Sequence, residues 1–257
     1  MDYVLITGAS SGIGLELAKL FAADGRNLIL VARREELLQE VADGLSSEYG
    51  IEVEVIAKDL TLAKSAEDIY KQLKDKDIDI VVNNAGFGAV GPFSELDHKR
   101  QIDMVKLNIT ALTSLTRLFL PGMIEKNSGG ILNVGSLAGF QPGPYATVYY
   151  ATKAFVLSFT EGLKEELKGT NIKISCLAPG PTKTEFGEIS GLDRSNLFKF
   201  GTMGSAEVAR QGFEGFKNNS TVVIPGFSNK LLPLLVRISP RFLVRRITAK
   251  LNRSEGG

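Results

Sequence analysis

Short apolar segments alternate with longer amphipathic ones along most of the chain, and this alternation restricts the fold more than any other feature. The short segments are rich in β-branched residues, which is typical of buried strands. Between them, apolar residues recur at helical spacing, as in Leu37, Leu38, Val41 and Leu45. The pattern predicts an α/β fold in which helices cover both faces of a doubly wound parallel sheet. The predicted strands are Tyr3–Ile6, Asn27–Val31, Glu52–Ala57, Ile78–Val82, Gly130–Val134, Lys173–Leu177 and Val222–Ile224.

The composition is that of one globular domain. The chain has 257 residues, of which 44% are hydrophobic and 23% are charged, so neither a disordered chain nor a fibre is expected. Cys176 is the one cysteine, which excludes an internal disulfide, and we expect it to be a small buried side chain. His98 is the one histidine, so we predict no metal site.

The charge of the chain is unevenly distributed. Residues 227–257 carry seven basic residues and one acidic residue, whereas the other 226 carry 23 basic and 28 acidic residues. A basic tail on an acidic body does not indicate a nucleic-acid-binding protein. Neither a signal peptide nor an apolar run of about 18 residues is visible, so a cytoplasmic protein without a membrane span is expected.

A glycine-rich segment, Thr7–Gly14, follows the first predicted strand and opens the first predicted helix. Its spacing is Gly-x-x-x-Gly-x-Gly, which differs from the general dinucleotide fingerprint. Such a segment alone also fits an ordinary turn and helix start. Its position favours a phosphate-binding loop in a Rossmann-type fold, because a helix N-terminus offers free N–H groups to a pyrophosphate. The candidate ligands are Gly8, Ser10, Ser11, Gly12, Ile13 and Gly14.

Further polar motifs follow the predicted strands in order. They are Asn83–Gly86 after the fourth strand, Asn108 in the next helix, Ser136 after the fifth strand, the pair Tyr149 and Lys153, and Pro179–Gly180 after the sixth strand. Together with the glycine loop, they resemble the short-chain dehydrogenase/reductase family in its short, single-domain branch, over roughly residues 1–225. The resemblance implies an oxidoreductase that uses a nicotinamide cofactor and forms a homodimer or homotetramer.

Tyr149 and Lys153 are suited to proton transfer. They are four residues apart, so they share one face of a helix, whereas Tyr150 does not have this spacing. A fixed ammonium near a tyrosine favours the phenolate and lowers a pKa that is ordinarily about 10. The pair can then exchange a proton with a substrate oxygen, which the Ser136 hydroxyl can hold. No histidine is available as a partner for Ser136, which excludes a Ser-His hydrolase.

The resemblance assigns roles to the remaining motif residues. Asn108 would bind a water that connects Lys153 to solvent, and Lys153 would also hold the nicotinamide ribose. Asp59, with Leu60, would contact the adenine, although Asp59 equally fits a helix cap before Thr61. The residues expected to line the adenosine side are Asn84, Ala85 and Gly86. Those expected to fix the nicotinamide are Pro179, Gly180, Thr182 and Thr184, although the family usually has an aliphatic residue at the third of these positions.

The end of the second predicted strand indicates which nicotinamide cofactor binds. An acidic residue there would accept from a ribose 2′-hydroxyl and repel a 2′-phosphate. This chain instead has Arg33 and Arg34, and arginine matches a phosphate with two parallel hydrogen bonds. We therefore predict NADP(H) rather than NAD(H), with Arg33 as the main 2′-phosphate ligand. The alternative is that both arginines are only solvent-exposed residues at the start of a helix.

The substrate side is expected at three loops that carry apolar residues, namely residues 87–93, 137–145 and 185–200. Residues 187, 191 and 201 are glycines, which would let the last of these loops act as a mobile lid. The same apolar residues also fit the core or an interface. The candidates are Phe87, Phe93, Phe140, Phe186, Leu192, Leu197, Phe198 and Phe200.

The tail interleaves apolar and basic residues, and Pro233 and Pro240 divide it into short helical pieces. Packing against the protein or a neighbouring subunit, peripheral membrane contact through residues 227–253, and a disordered end all remain open.

These observations predict a dinucleotide-binding catalytic domain over residues 1–225 and a basic amphipathic C-terminal extension over residues 226–257. The predicted protein transfers a hydride between NADP(H) and an apolar carbonyl or alcohol, using Asn108, Ser136, Tyr149 and Lys153. An NADP-binding redox sensor or scaffold, docked through the tail, is the alternative. That alternative requires the glycine loop but gives no reason for Ser136, Tyr149 and Lys153.

Overall fold

A parallel sheet of seven strands lies at the centre of the computed structural model, which describes residues 2–194 and 201–253. The strands are β1 (Tyr3–Thr7), β2 (Asn27–Ala32), β3 (Val53–Ala57), β4 (Ile78–Asn83), β5 (Gly130–Val134), β6 (Lys173–Leu177), β7 (Thr182–Lys183), β8 (Met203–Gly204) and β9 (Val222–Val223). The central sheet has the order β3-β2-β1-β4-β5-β6-β9, and all of its pairs are parallel. The predicted Rossmann-type fold is thus confirmed, with all seven predicted strands present.

Helices follow most strands and cover both faces of the sheet. They are α1 (Gly12–Ala23), α2 (Glu35–Tyr49), α3 (Ser65–Gln72), α4 (His98–Val105), α5 (Leu112–Lys126), α6 (Thr147–Glu166), α7 (Glu185–Ser190), α8 (Ser205–Lys217), α9 (Phe227–Ile238) and α10 (Arg241–Asn252). The sequence did not predict the small sheet formed by β7 and β8, because two-residue strands leave no periodic pattern.

Successive side chains of each central strand enter different hydrophobic clusters. In β1, Val4 and Ile6 pack with α1, α2 and α8 on one face of the sheet. Tyr3 and Leu5 pack with α3 and α5 on the other face. Because side chains alternate along a strand, a strand buried on both faces is expected to be mostly apolar. This explains the unbroken apolar runs in the sequence.

A π-helical turn at Lys106–Ala111 joins α4 to α5. By length and composition, the continuous helical segment His98–Lys126 could cross a membrane. However, Leu115, Phe119 and Met123 of α5 lie in the cluster that covers the sheet. We therefore interpret the segment as a core helix of the α/β domain.

The strand order reverses between β1 and β4, which are neighbours although two strands separate them in sequence. In open α/β sheets, ligands bind in the crevice at the carboxyl ends of strands at such a point. A cleft of about 920 Å³ is lined by residues that follow β1, β2, β4, β5 and β6. The fold therefore brings the predicted motifs to one edge of the sheet.

Candidate active site

The glycine loop after β1 is bonded directly to the loop after β4. The Thr7 hydroxyl donates to the carbonyl of Val82 (3.2 Å) and accepts from the backbone N–H groups of Asn84 and Ala85, each at 3.0 Å. The Asn84 amide donates to the carbonyls of Thr7 (2.9 Å) and Gly8 (3.0 Å). These bonds fix two backbone segments against each other at the start of the cleft.

Close packing explains the glycines of this loop. A Cβ on Gly14 would lie 2.3 Å from the carbonyl oxygen of Gly8, and Gly8 and Gly12 have φ of +66° and +58°. Ser11 is the N-cap of α1, and its side chain makes no capping hydrogen bond. The loop thus presents backbone N–H groups to a large cleft, which is the chemistry that a pyrophosphate requires. The residues present fit a dinucleotide.

The two arginines after β2 have different environments, although both line the cleft. The Arg34 guanidinium donates to the hydroxyls of Ser10 and Ser11, each at 3.2 Å, and to the Glu185 carboxylate at 2.9 Å. Ser11 also donates to Glu185 (3.0 Å), and these contacts hold the pKa of that carboxyl below its usual range. Arg33 is exposed and, within the described ranges, its guanidinium has no hydrogen-bond or ion-pair partner.

Tyr149 and Lys153 are both buried in the cleft wall on α6. Lys153 Nζ donates to the carbonyl of Val134 at 2.8 Å and lies 5.9 Å from the centre of the Tyr149 ring. Burial lowers the pKa of Lys153 to about 8. Burial also raises the pKa of Tyr149 to about 12, although a hydrogen bond with Ser136 acts in the opposite direction. The expected lowering of the Tyr149 pKa by Lys153 is therefore wrong for this structure, because desolvation of the phenol is the larger effect.

Ser136 follows β5 and caps the short 3₁₀ turn Leu137–Phe140. Its hydroxyl accepts from the N–H of Ala138 (3.1 Å) and donates weakly to the carbonyl of Pro179 (3.4 Å). The bond with Tyr149 places the two hydroxyls side by side at the cleft wall. This is the pair that the sequence predicted would face a substrate oxygen.

Asn108 lies in the π-helical turn and is buried. Its amide donates to the carbonyl of Phe87 and to the Thr152 hydroxyl, each at 3.0 Å, and accepts from the N–H of Phe87 at 3.2 Å. The side chain therefore fixes the loop after Gly86 to α6, and the predicted water relay from Asn108 remains a prediction. π turns are frequent at functional sites, and this one carries a predicted site residue.

The short helix α7 covers the predicted catalytic tyrosine. The Phe186 ring lies 5.6 Å from the Tyr149 ring, centre to centre. Arg100 donates to the carbonyls of Gly88 (3.2 Å) and Ile189 (2.5 Å), so it attaches the far end of α7 to the loop after β4. Together with the Glu185 contacts, this attaches α7 to both sides of the cleft.

The remaining predicted cofactor residues lie after β3 and around β7. Asp59 accepts from the N–H and hydroxyl of Thr61 through a single oxygen, so it closes a turn and also lines the cleft with Leu60. Thr182 donates to the carbonyl of Gly180 at 2.9 Å, and Thr184 packs against the glycine loop at Gly12. The predicted cofactor residues that line the cleft also include Ala85, Gly86, Ile13 and Pro179.

Of the predicted substrate residues, Phe87, Phe186 and Leu192 line the cleft. Phe93 is exposed, and Phe140 packs in a cluster with buried residues such as Val156 and Cys176. The other candidates, Leu197, Phe198 and Phe200, lie outside the described residues. Cys176 is fully buried, as expected, and no group of metal-binding side chains occurs within the described ranges.

Sequence reasoning did not identify three residues that shape the site. Glu185 and Arg100 attach α7, and Asn252 of α10 accepts a hydrogen bond from the Tyr150 hydroxyl at 3.0 Å. All three act over long sequence separations, so no local pattern indicates them.

Comparison with known proteins identifies the family. A sequence model described as short chain dehydrogenase matches residues 2–194. The chain belongs to the short chain dehydrogenase family. Members of this family are oxidoreductases that act on CH–OH and C=O groups. The predicted family and general class of reaction are therefore confirmed.

Two curated proteins of named activity are similar to this chain. Sulfoacetaldehyde reductase 2 of Chromohalobacter salexigens is 40% identical over 189 residues, which cover 72% of this chain and 74% of that protein. The very-long-chain 3-oxoacyl-CoA reductase of Anas platyrhynchos is 38% identical over 196 residues, which cover 73% of this chain and 62% of that protein. The chain thus spans less than two thirds of the second relative.

A solved member of the family has the same fold. The short-chain dehydrogenase from Sphingobium yanoikuyae, determined in complex with NADPH, is 36% identical to this chain with a TM-score of 0.83. The match covers 88% of this chain and 89% of that one. The shared fold therefore includes nearly all of the chain described above.

Proposed function

We propose that the protein is an NADP(H)-dependent oxidoreductase that transfers a hydride between the nicotinamide and an apolar carbonyl or alcohol substrate. The observation that carries this proposal is that Ser136, Tyr149 and Lys153 line one cleft together with the glycine loop. Membership of the short chain dehydrogenase family supports the reaction class.

The side chains of Ser136 and Tyr149 would hold the substrate oxygen and transfer its proton. A bound nicotinamide would supply or accept the hydride. In carbonyl reduction, Ser136 holds the substrate oxygen beside Tyr149, and the phenol donates its proton to that oxygen. A pKa of about 12 keeps this phenol protonated at neutral pH, which is the form that can donate a proton. Lys153, whose Nζ lies 5.9 Å from the centre of the Tyr149 ring, would hold the nicotinamide ribose.

The guanidinium of Arg33, which has no hydrogen-bond or ion-pair partner among the described residues, supports NADP(H) over NAD(H). Arg34 is already bonded to Glu185 and to the loop hydroxyls, whereas Arg33 lines the cleft without a described partner. A 2′-phosphate would provide the missing acceptor for its planar donor group. The NADPH complex of the Sphingobium yanoikuyae relative is consistent with this assignment.

We expect Arg33→Ser to weaken NADPH binding by about 10- to 100-fold, because a hydrogen bond to a charged group contributes about 1.5–3 kcal/mol. NADH binding should change little, and fluorescence titration with both nucleotides measures the two affinities. Lys74→Ser removes one exposed positive charge away from the cleft and should leave both affinities unchanged. Equal losses of NADPH and NADH affinity in Arg33→Ser would contradict the assignment.

The lining of the substrate side supports an apolar carbonyl. Phe87, Phe186 and Leu192 line the cleft near Tyr149, and one curated relative is named for a very-long-chain 3-oxoacyl thioester. The other is named for a small polar aldehyde, so the test must include both classes.

The direct test mixes purified protein and NADPH with ketones, steroids, 3-oxoacyl thioesters and small polar aldehydes, and follows the absorbance of reduced nicotinamide. We expect the apolar carbonyls to be reduced fastest. Tight NADPH binding without turnover of any compound would instead favour a redox sensor or scaffold.

A further inference from the structure

The two C-terminal helices expose many apolar side chains. Of the 16 large hydrophobic side chains exposed within the described ranges, 8 lie in α9 and α10. No residue of α9 is buried, and Ile238 is 81% exposed. Monomeric soluble proteins rarely leave so many neighbouring apolar side chains uncovered. The eight residues are Phe227, Leu231, Leu234, Leu235, Ile238, Phe242, Leu243 and Ile247.

The exposed residues of α9 form one stripe. Relative to Phe227, they occupy positions i+4, i+7, i+8 and i+11, which share a helix face. Leu232 lies on another side of α9 and lines the active-site cleft. The helix therefore lies at the rim of the cleft and turns its apolar stripe to solvent.

The tail is held firmly against the domain, so this exposure does not result from a detached segment. Val244, Thr248 and Asn252 of α10 are buried. The Asn252 amide donates to the carbonyl of Pro144 at 2.9 Å and accepts from the Tyr150 hydroxyl at 3.0 Å. One face of α10 thus packs on the active-site domain, which leaves Phe242, Leu243 and Ile247 outside.

The charge of the same segment indicates what covers it. Residues 227–253 contain seven basic residues and no acidic one, and all seven are exposed. A symmetric contact between two copies of this face would bring like charges together, which is unfavourable. An anionic lipid surface instead attracts basic residues, while it receives apolar side chains at the headgroup boundary. The seven are Lys230, Arg237, Arg241, Arg245, Arg246, Lys250 and Arg253.

We propose that α9 and α10 dock the protein on an anionic membrane surface. The apolar stripe of α9 enters the interface, and the basic residues of both helices contact the lipid headgroups. Because Leu232 of α9 lines the cleft, docking brings the site to the membrane, where an apolar carbonyl substrate would be concentrated. This last consequence rests on the proposed function, whereas docking itself does not.

Vesicle cosedimentation with the full chain tests the proposal. We expect the protein to sediment with phosphatidylcholine vesicles that contain about one third phosphatidylserine, and not with phosphatidylcholine alone. Leu234→Ser/Ile238→Ser and Arg245→Gln/Arg246→Gln should each reduce binding by about tenfold or more. Ile124→Ser changes an exposed apolar residue outside the tail and should bind like the unchanged protein. Melting curves verify that each variant is folded.

Three outcomes would overturn the proposal. One is no sedimentation with the phosphatidylserine vesicles, and another is equal sedimentation with both vesicle types. The third is a dimer in analytical ultracentrifugation that Leu234→Ser/Ile238→Ser dissociates, because a second copy would then cover the stripe. None of these readouts involves turnover, so failure of docking remains distinct from failure of the proposed reaction.

Discussion

Tyr149→Phe should reduce the turnover of a carbonyl substrate by about 10²- to 10⁴-fold, which is the usual contribution of a positioned proton donor. The substitution removes one hydroxyl from a buried ring and leaves the contact with Phe186 in place. NADPH affinity should therefore change little. Steady-state kinetics with the best substrate, together with an NADPH titration, measures both quantities.

Tyr150→Phe provides the matched control. Tyr150 is the adjacent buried tyrosine, and its hydroxyl is bonded to Asn252 rather than to Ser136. We expect Tyr150→Phe to keep most of the activity. If Tyr150→Phe lost activity and Tyr149→Phe kept it, the spacing argument from Lys153 would have selected the wrong tyrosine.

Lys153→Met should lower the activity but, below pH 8, raise the free energy of unfolding. Loss of the ammonium beside the reacting phenol should reduce turnover by about 10²-fold or more. Burial lowers the pKa of Lys153 from 10.5 to about 8, so the folded protein binds fewer protons than the unfolded chain between these values. The Lys153 contribution to stability therefore rises with pH across this window, and below pH 8 the buried charge costs about 3 kcal/mol. Burial raises the pKa of the Cys176 thiol from 9.0 to about 12, so this group contributes the opposite trend above pH 9.

In Lys153→Met, the Lys153 contribution should disappear, so the difference in stability between the two proteins should change between pH 8 and pH 10.5. Urea unfolding of both proteins at several pH values measures the difference in the free energy of unfolding. Lys168→Met, which removes an exposed lysine beyond α6, should keep both the activity and the pH dependence. An unchanged slope in Lys153→Met would show that Lys153 does not carry a lowered pKa in solution.

Local patterns in the sequence predict the framework of this molecule well. Strands such as β1 and β5 are buried along their whole length, and their mostly apolar composition marks them in the sequence. The polar exception in β5, Asn133, is hydrogen-bonded to Asn83 and Thr160. The motif residues lie at strand ends, and the parallel sheet brings those ends together. The family comparison confirms the class of protein that these motifs indicate.

The pKa of Tyr149 was predicted in the wrong direction because spacing reveals a neighbouring charge but not the extent of burial. The covering ring of Phe186 comes from a segment 37 positions away, and no periodicity indicates such a contact. The contacts of Glu185 with Ser11 and Arg34 have the same origin, because they join residues more than 150 positions apart. These features depend on tertiary packing, which a linear pattern does not record.

The two attachments of α7 couple the binding and release of the nucleotide to those of the substrate. Glu185 contacts the loop that would hold the phosphates, and Phe186 covers the tyrosine that would face the substrate. A helix of six residues is too short for its first two residues to move independently. A nucleotide that displaces Glu185 therefore also shifts Phe186. We expect a compulsory order of events, in which the nucleotide arrives before the carbonyl compound and departs after the alcohol.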